Sequence, residues 1–194
     1  MMPARRSALG QILTLPNQLT LLRMLALPFI LIAMVYHHHE IALVLFSIAV
    51  ITDVIDGKIA RSFSQKTELG AYLDPLADKL LLCSTFVAQA LIGTIPWWLT
   101  ILVLARDVVI LATVSVVVLL TTIRDFPPSF FGKLNTVVQA VTISMVILNN
   151  AISLRWVGIG IDVLIWIVAA TTFASGLAYM VQIAKRLHSD PTRP

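Results

Sequence analysis

Six long apolar stretches, separated by short connectors, dominate the chain. They are Leu19–Tyr36, Ile41–Ala60, Ala71–Ile92, Trp97–Ile123, Leu134–Ile152 and Val157–Ile183. A helix needs roughly 20 mostly apolar residues to cross about 30 Å of hydrocarbon. The connectors are polar, as at residues 37–40, or carry helix breakers, as at Gly93 and Pro96. The pattern predicts an all-α integral membrane protein with six transmembrane helices.

The composition indicates that lipid, rather than water, surrounds much of the surface of this chain. Of its 194 residues, 58% are hydrophobic and 12% are charged, whereas a soluble domain has about a quarter of its residues charged. The net charge of +4 does not indicate nucleic acid, because the basic residues lie at the ends of apolar runs. Such residues contact anionic lipid headgroups. The single cysteine, Cys83, excludes an intrachain disulfide and is interpreted as a small buried hydrophobe.

Basic residues are unequally divided between the two sides of the predicted bundle. The N-terminal side holds Arg5, Arg6, Arg61, Lys66, Arg124, Lys133, Lys185, Arg186 and Arg193, and the other side holds Arg155. The positive-inside rule therefore predicts that both termini are cytoplasmic. The first apolar run is long for a signal-peptide core, so we interpret it as a membrane helix rather than a cleaved leader. The expected organisation is a juxtamembrane segment at residues 1–18, a membrane domain at 19–185 and a tail at 186–194, in a bacterial-type cell membrane.

Three consecutive histidines, His37, His38 and His39, occupy the first connector. Neighbouring side chains point in different directions, which makes them poor joint ligands for one metal ion. We interpret them as a solvated outer loop rather than as a zinc site.

Four acidic residues fall within 26 positions: Asp53, Asp56, Asp74 and Asp78. The spacings of three and four residues put each pair on one face of a helix. The pairs lie at the facing ends of the second and third apolar stretches, which a short loop joins. The two helices are therefore expected to be antiparallel neighbours, with four carboxylates converging just inside the cytoplasmic boundary.

Such a cluster needs cations to be stable. Each acid within a membrane costs on the order of 2–3 kcal/mol on the mildest scale, and neighbouring carboxylates repel one another. An all-carboxylate ligand set favours Mg²⁺ or Mn²⁺, and we expect two ions. These ions keep open positions for phosphate oxygens, so phosphoryl transfer is the natural chemistry.

Small residues accompany the acids. Gly57, Ala60 and Gly70 leave room for a ligand to approach the backbone, although small residues also serve close helix packing in lipid. Arg61 can hold a ligand phosphate or anchor the helix to headgroups.

Together these residues form a pattern that resembles the signature of the CDP-alcohol phosphotransferase family, D-x2-D-G-x2-A-R-x8-G-x3-D-x3-D. Its positions are filled here by Asp53, Asp56, Gly57, Ala60, Arg61, Gly70, Asp74 and Asp78. The resemblance implies a six-helix membrane enzyme, usually a homodimer, with its site in a polar cavity that faces the cytoplasm. The implied reaction moves a phosphatidyl group from CDP-diacylglycerol to an alcohol and releases CMP.

The resemblance also implies roles for the signature residues. The four aspartates would be metal ligands, and Asp78 would in addition be the general base. Gly57, Ala60 and Arg61 would line the CDP site, and Gly70 would shape it.

The start of the first apolar stretch is similar to that of phosphatidylglycerophosphate synthases and of eukaryotic-type cardiolipin synthases. It contains Asn17, Thr20 and Arg23, each one helical turn from the next, so all three can line the cavity. Asn17 can also serve as a helix N-cap after Pro16.

Two further basic residues suggest where the acceptor binds. Arg106 lies inside the fourth stretch, where an unpaired cation is costly. Asp107 points about 100° away round the helix and is therefore not expected to be its partner. Lys133 begins the fifth stretch. The resemblance implies that Arg106 and Lys133 form a pocket for an acceptor phosphate.

That pocket fits sn-glycerol 3-phosphate, and equally the phosphodiester of phosphatidylglycerol. Glycerol 3-phosphate is preferred because it is the commonest acceptor of short family members. The pairs Arg106-Asp107 and Asn135-Thr136 look more like cardiolipin synthases, which use phosphatidylglycerol, so that acceptor is the alternative. A small cation transporter is a distant alternative, because its acids would be spread along the membrane depth.

Overall fold

A computed structural model describes the backbone of residues 15–62, 68–120, 130–153 and 155–188. Side chains are described for residues 17–52, 73, 75–117, 119, 130–153 and 156–185.

All the regular secondary structure of the described residues is helical. Its helices are α1 (Leu15–Val35), α2 (His39–Ser62), α3 (Glu68–Leu91), α4 (Trp97–Leu120), α5 (Phe130–Ile152) and α6 (Arg155–His188). Each predicted apolar stretch coincides with one helix, and the all-α prediction is confirmed for the described residues.

Within the residues whose side chains are described, four helices have stretches long and apolar enough to cross a bilayer. Their apolar spans are Asn17–Val35, Trp97–Val117, Phe130–Ile152 and Trp156–Lys185. These four spans indicate that the chain is a membrane protein. The side chains of α2 are described as far as Thr52, and the described stretch His39–Thr52 is apolar, whereas α3 carries Asp74, Asp78 and Lys79. Six crossings and cytoplasmic termini therefore remain predictions.

The first of two compact units comprises residues 1–92. Within it, α1 packs against both α2 and α3. The turn from α1 to α2 contains His37 and His38, and His39 begins α2. His37 adopts a left-handed φ of 60°. The backbone amide of His38 donates to the Ala33 carbonyl at 2.8 Å, which closes the end of α1. The first helix thus bridges the two helices that carry the signature.

The second unit comprises residues 93–194, in which α6 packs against α4 and α5. Buried polar residues join α5 to α6. The Oδ1 of Asn135 accepts hydrogen bonds from the hydroxyls of Thr171 and Thr172, each at 3.0 Å. Because lipid offers polar groups no water, such bonds between helices help to hold membrane bundles together.

Candidate active site

One face of α1 is polar and buried. Asn17, Thr20 and Arg23 are 2%, 1% and 4% exposed, and their spacing of three residues places them on one side of the helix. Burying polar groups is costly unless they are hydrogen-bonded. A polar face of this kind inside an apolar helix therefore needs partners on the neighbouring helices.

Arg23 finds such a partner on α3. Its Nη1 donates to the Oδ1 of Asp78 at 2.8 Å, and the two side chains are 2% and 44% exposed. The bond is charge-assisted and joins residues 55 positions apart. Arg23 thereby fixes the direction of the Asp78 carboxylate, while nearly half of that side chain stays accessible to a ligand.

The other signature aspartates lie on helices of the same unit. Asp53 and Asp56 belong to α2 and Asp74 to α3, but their side chains lie outside the described residues. The same is true of Gly57, Ala60, Arg61 and Gly70. Among the described residues there is no group of three or more metal-ligating side chains. Convergence of the four carboxylates therefore stays a prediction.

The donor chemistry of the signature fits a hard divalent ion. All four predicted ligands are carboxylates, and Mg²⁺ and Mn²⁺ prefer oxygen ligands. The accessible Asp78 carboxylate is consistent with a ligand of this kind.

In the second unit, the side chain of Arg106 is largely buried and is paired. Its Nη1 donates to the Oδ1 of Asp107 at 2.7 Å, and the side chains are 11% and 14% exposed. Its Nη2 donates to the Ser175 hydroxyl on α6. The expectation that Asp107 would not be its partner was wrong. The flexible arginine side chain bends across the helix surface, and an apolar environment strengthens an ion pair between neighbours.

A cavity of about 400 Å³ lies beside Arg106, between α4 and α6. Its lining is mostly apolar and includes the polar residues Thr113, Thr172 and Tyr179. Lys133 is exposed on the first turn of α5, and it is not among the described residues that line this cavity. A phosphate pocket shared by Arg106 and Lys133 therefore stays a prediction.

Sequence reasoning missed Thr172, Ser175 and Tyr179, which place polar groups along α6 beside Arg106. A signal was present, because these residues recur every three or four positions in an otherwise apolar helix. The bond between Ser175 and Arg106 on α4 depends on how the two helices pack, which the periodicity of α6 does not show.

Comparison with known proteins places these features in a family context. The sequence model of the CDP-alcohol phosphatidyltransferase family matches residues 13–177. The chain is 41% identical over 147 residues to a Mycobacterium tuberculosis protein named "Probable phosphatidylglycerophosphate synthase". That match covers 72% of this chain and 68% of the relative.

Cardiolipin synthases are also similar. The chain is 33% identical over 186 residues to the human CMP-forming cardiolipin synthase, a match covering 86% of this chain and 60% of that protein. It is 32% identical over 194 residues to a Schizosaccharomyces pombe cardiolipin synthase and mitochondrial hydrolase fusion protein. That match covers 92% of this chain and 32% of the fusion protein.

Proposed function

The chain belongs to the CDP-alcohol phosphatidyltransferase family, and we propose that it transfers the phosphatidyl group of CDP-diacylglycerol to a phosphate-bearing alcohol. An oxygen–phosphorus bond forms between the acceptor hydroxyl and the phosphatidyl phosphorus. The bond from that phosphorus to the bridging oxygen breaks, and CMP leaves. The observation that carries the proposal is the Asp78 carboxylate, which ends the signature and is held at 2.8 Å by the buried Arg23.

Asp78 is proposed to be the general base. It accepts the proton of the acceptor hydroxyl as the new bond forms. A carboxylate is a weak base, so correct placement has to supply much of the rate. Arg23 contributes that placement, because its bond to Oδ1 restricts the rotation of the carboxylate.

Asp53, Asp56, Asp74 and Asp78 are proposed to hold two Mg²⁺ or Mn²⁺ ions. When bound, such ions would neutralise the pyrophosphate and the charge that develops on CMP. The support is the donor set, four carboxylates at the spacing of the family signature. Gly57, Ala60 and Arg61 are proposed to line the CDP site beside them, with Gly70 shaping it.

The acceptor is proposed to bind through its phosphate to Arg106 and Lys133. The first candidate is sn-glycerol 3-phosphate, since the mycobacterial relative is named as a phosphatidylglycerophosphate synthase. The second is phosphatidylglycerol, favoured by similarity to the human cardiolipin synthase over 86% of this chain. The proposal includes a homodimer with six crossings per chain, in the cell membrane of a bacterial-type cell, with the site facing the cytoplasm.

The test is release of CMP by the purified protein from labelled CDP-diacylglycerol. Each acceptor is supplied separately with Mg²⁺ or Mn²⁺, and the lipid product is identified. We expect release that needs both the metal ion and an acceptor. The Asp78→Asn variant should bind CDP-diacylglycerol normally and lose turnover. Normal turnover by this variant would remove Asp78 from the role of base, and ion flux without CMP release would support a transporter instead.

A further inference from the structure

Arg106 is a long, flexible cation in the middle of an apolar helix. It lies on α4, within the apolar stretch Trp97–Val117. An arginine side chain has many rotamers, and it loses that freedom only where other groups hold its guanidinium. Because the proposed function uses Arg106 to bind a phosphate, the groups that hold it determine whether the phosphate meets a fixed guanidinium or a mobile one.

One of the groups that hold Arg106 comes from α6. Ser175 is 0% exposed, and its hydroxyl oxygen accepts a hydrogen bond from Nη2 of Arg106, 69 positions away. On α5, by contrast, the hydroxyls of Thr142 and Ser144 each donate at 2.8 Å to the carbonyl four positions earlier in the same helix. Such bonding within the helix is common for Ser and Thr. The Ser175 hydroxyl instead contacts a side chain of the neighbouring helix.

The packing of α4 against α6 fixes Ser175 opposite Arg106. The ring centroids of Trp98 and Trp166 lie 5.4 Å apart. Trp98 precedes Arg106 by eight positions, and Trp166 precedes Ser175 by nine. Two contacts with nearly the same spacing show that the two helices run side by side in the same direction. The position of the hydroxyl is therefore set by a packed pair of helices.

The two partners of Arg106 differ in charge. Asp107 accepts a hydrogen bond from Nη1 at 2.7 Å, and its carboxylate offsets the positive charge that attracts a phosphate. The Ser175 hydroxyl is neutral, so it restricts the guanidinium without reducing that charge. Each terminal nitrogen of a guanidinium carries two N–H groups, so one on each is left after these two bonds.

We infer that Ser175 is a positioning residue, which holds the Arg106 guanidinium in place for the acceptor phosphate. The inference rests on the proposed function, in which Arg106 binds that phosphate. It adds α6 to the acceptor site, a helix that carries none of the other residues proposed to bind substrate. Without the hydroxyl, the guanidinium can turn toward Asp107 alone, and part of the acceptor's binding free energy then has to restore its position.

The test compares Ser175→Ala, which removes the bond to Arg106, with the control Thr171→Val. Thr171 lies about one turn earlier on α6, and its hydroxyl donates to Oδ1 of Asn135 on α5 at 3.0 Å. The control therefore also removes a bond between helices, but it leaves Arg106 unchanged.

The assay measures CMP release from labelled CDP-diacylglycerol. The acceptor is whichever of glycerol 3-phosphate and phosphatidylglycerol supports turnover by the unchanged protein. The thermal midpoint of each variant in detergent identifies any variant that has lost its fold.

We expect Ser175→Ala to raise the KM for the acceptor by about fivefold and to leave kcat and the KM for CDP-diacylglycerol within about twofold. Thr171→Val should leave the acceptor KM within about twofold of that of the unchanged protein. Should Ser175→Ala not fold, Ser175→Cys takes its place. Cysteine is similar in size to serine and offers only a weak sulfur acceptor, so the same rise in KM is expected.

A second comparison asks whether Ser175 acts through Arg106. The double variant Arg106→Ala with Ser175→Ala should have the same acceptor KM as Arg106→Ala alone, because the hydroxyl then has no guanidinium to hold. A residue that supports only the packing of the helices would add its own loss to that of Arg106→Ala.

Three results would overturn the inference and leave the proposed function standing. They are an acceptor KM in Ser175→Ala within about twofold of that of the unchanged protein, an equal rise in Thr171→Val, and a further rise in the double variant. No CMP release with either acceptor would contradict the proposed function, and the inference would fall with it.

Discussion

The bond between Arg23 and Asp78 allows a quantitative test of how the proposed base is positioned. The Arg23→Met variant keeps a side chain of similar length and removes the cation. Breaking a fully buried ion pair costs about 3–5 kcal/mol, and an exposed pair contributes about 0.2–1 kcal/mol. The side chain of Arg23 is 2% exposed and that of Asp78 is 44% exposed, so the expected loss of stability lies between these two ranges, at about 2 kcal/mol.

The effect of Arg23→Met on turnover should exceed its effect on stability. A misplacement of about 1 Å in a reacting group can cost about a hundredfold in rate. We therefore expect kcat for CMP release to fall by about a hundredfold, with a smaller change in the KM for CDP-diacylglycerol. Arg23→Lys keeps the charge but loses the planar fork of the guanidinium, and it should give an intermediate value.

A double variant separates positioning from general damage. If Arg23 acts through Asp78, then Arg23→Met combined with Asp78→Asn should be no slower than Asp78→Asn alone, because the two residues work as a unit. Leu22→Met is the control, since Leu22 is adjacent in α1 and 60% exposed. A kcat within about twofold of the unchanged protein in Arg23→Met, or losses that multiply in the double variant, would refute the reasoning.

Three further predictions concern the metal ions, the acceptor and the second unit. Chelation with EDTA should abolish CMP release, and added Mg²⁺ or Mn²⁺ should restore it; turnover that survives chelation would contradict carboxylate-held ions. Arg106→Ala should raise the acceptor KM by about tenfold or more, because it removes a hydrogen bond to a charged group. The KM for the donor, CDP-diacylglycerol, should change less. An unchanged acceptor KM would remove Arg106 from the pocket. Asn135→Leu should lower stability by about 1 kcal/mol, because it removes two bonds worth about 0.6 kcal/mol each in a membrane. The measurement is the thermal midpoint of Asn135→Leu in detergent, with Thr136→Val as the control variant.

The helices could be predicted from the sequence because apolar length and helix breakers are local properties. The predicted stretch at Trp97–Ile123 and the observed helix at Trp97–Leu120 begin at the same residue. The positions of the connectors were predicted in the same way, because Pro and Gly mark them in the sequence. The signature aspartates are equally local, because their spacing alone sets the helix face on which they lie.

Side-chain partnership was decided by tertiary structure. The sequence indicated Arg23 and Arg106 as cations inside apolar helices, but it did not indicate their partners. Arg23 reaches Asp78, 55 positions away, and Arg106 reaches Ser175, 69 positions away. Arg106 also pairs with its neighbour Asp107, against the expectation from helix geometry.

The cavity between α4 and α6 also depends on tertiary packing, because residues from both helices line it. The sequence of either helix alone does not indicate the cavity, because most of its lining consists of apolar side chains like those along the rest of both helices. The hydrophobic pattern therefore determined which segments are helices, and the sequence itself shows which of these helices contain charged residues. The packing of helices against one another determined which charges meet and where space for a ligand remains, because those distances depend on residues far apart in the chain.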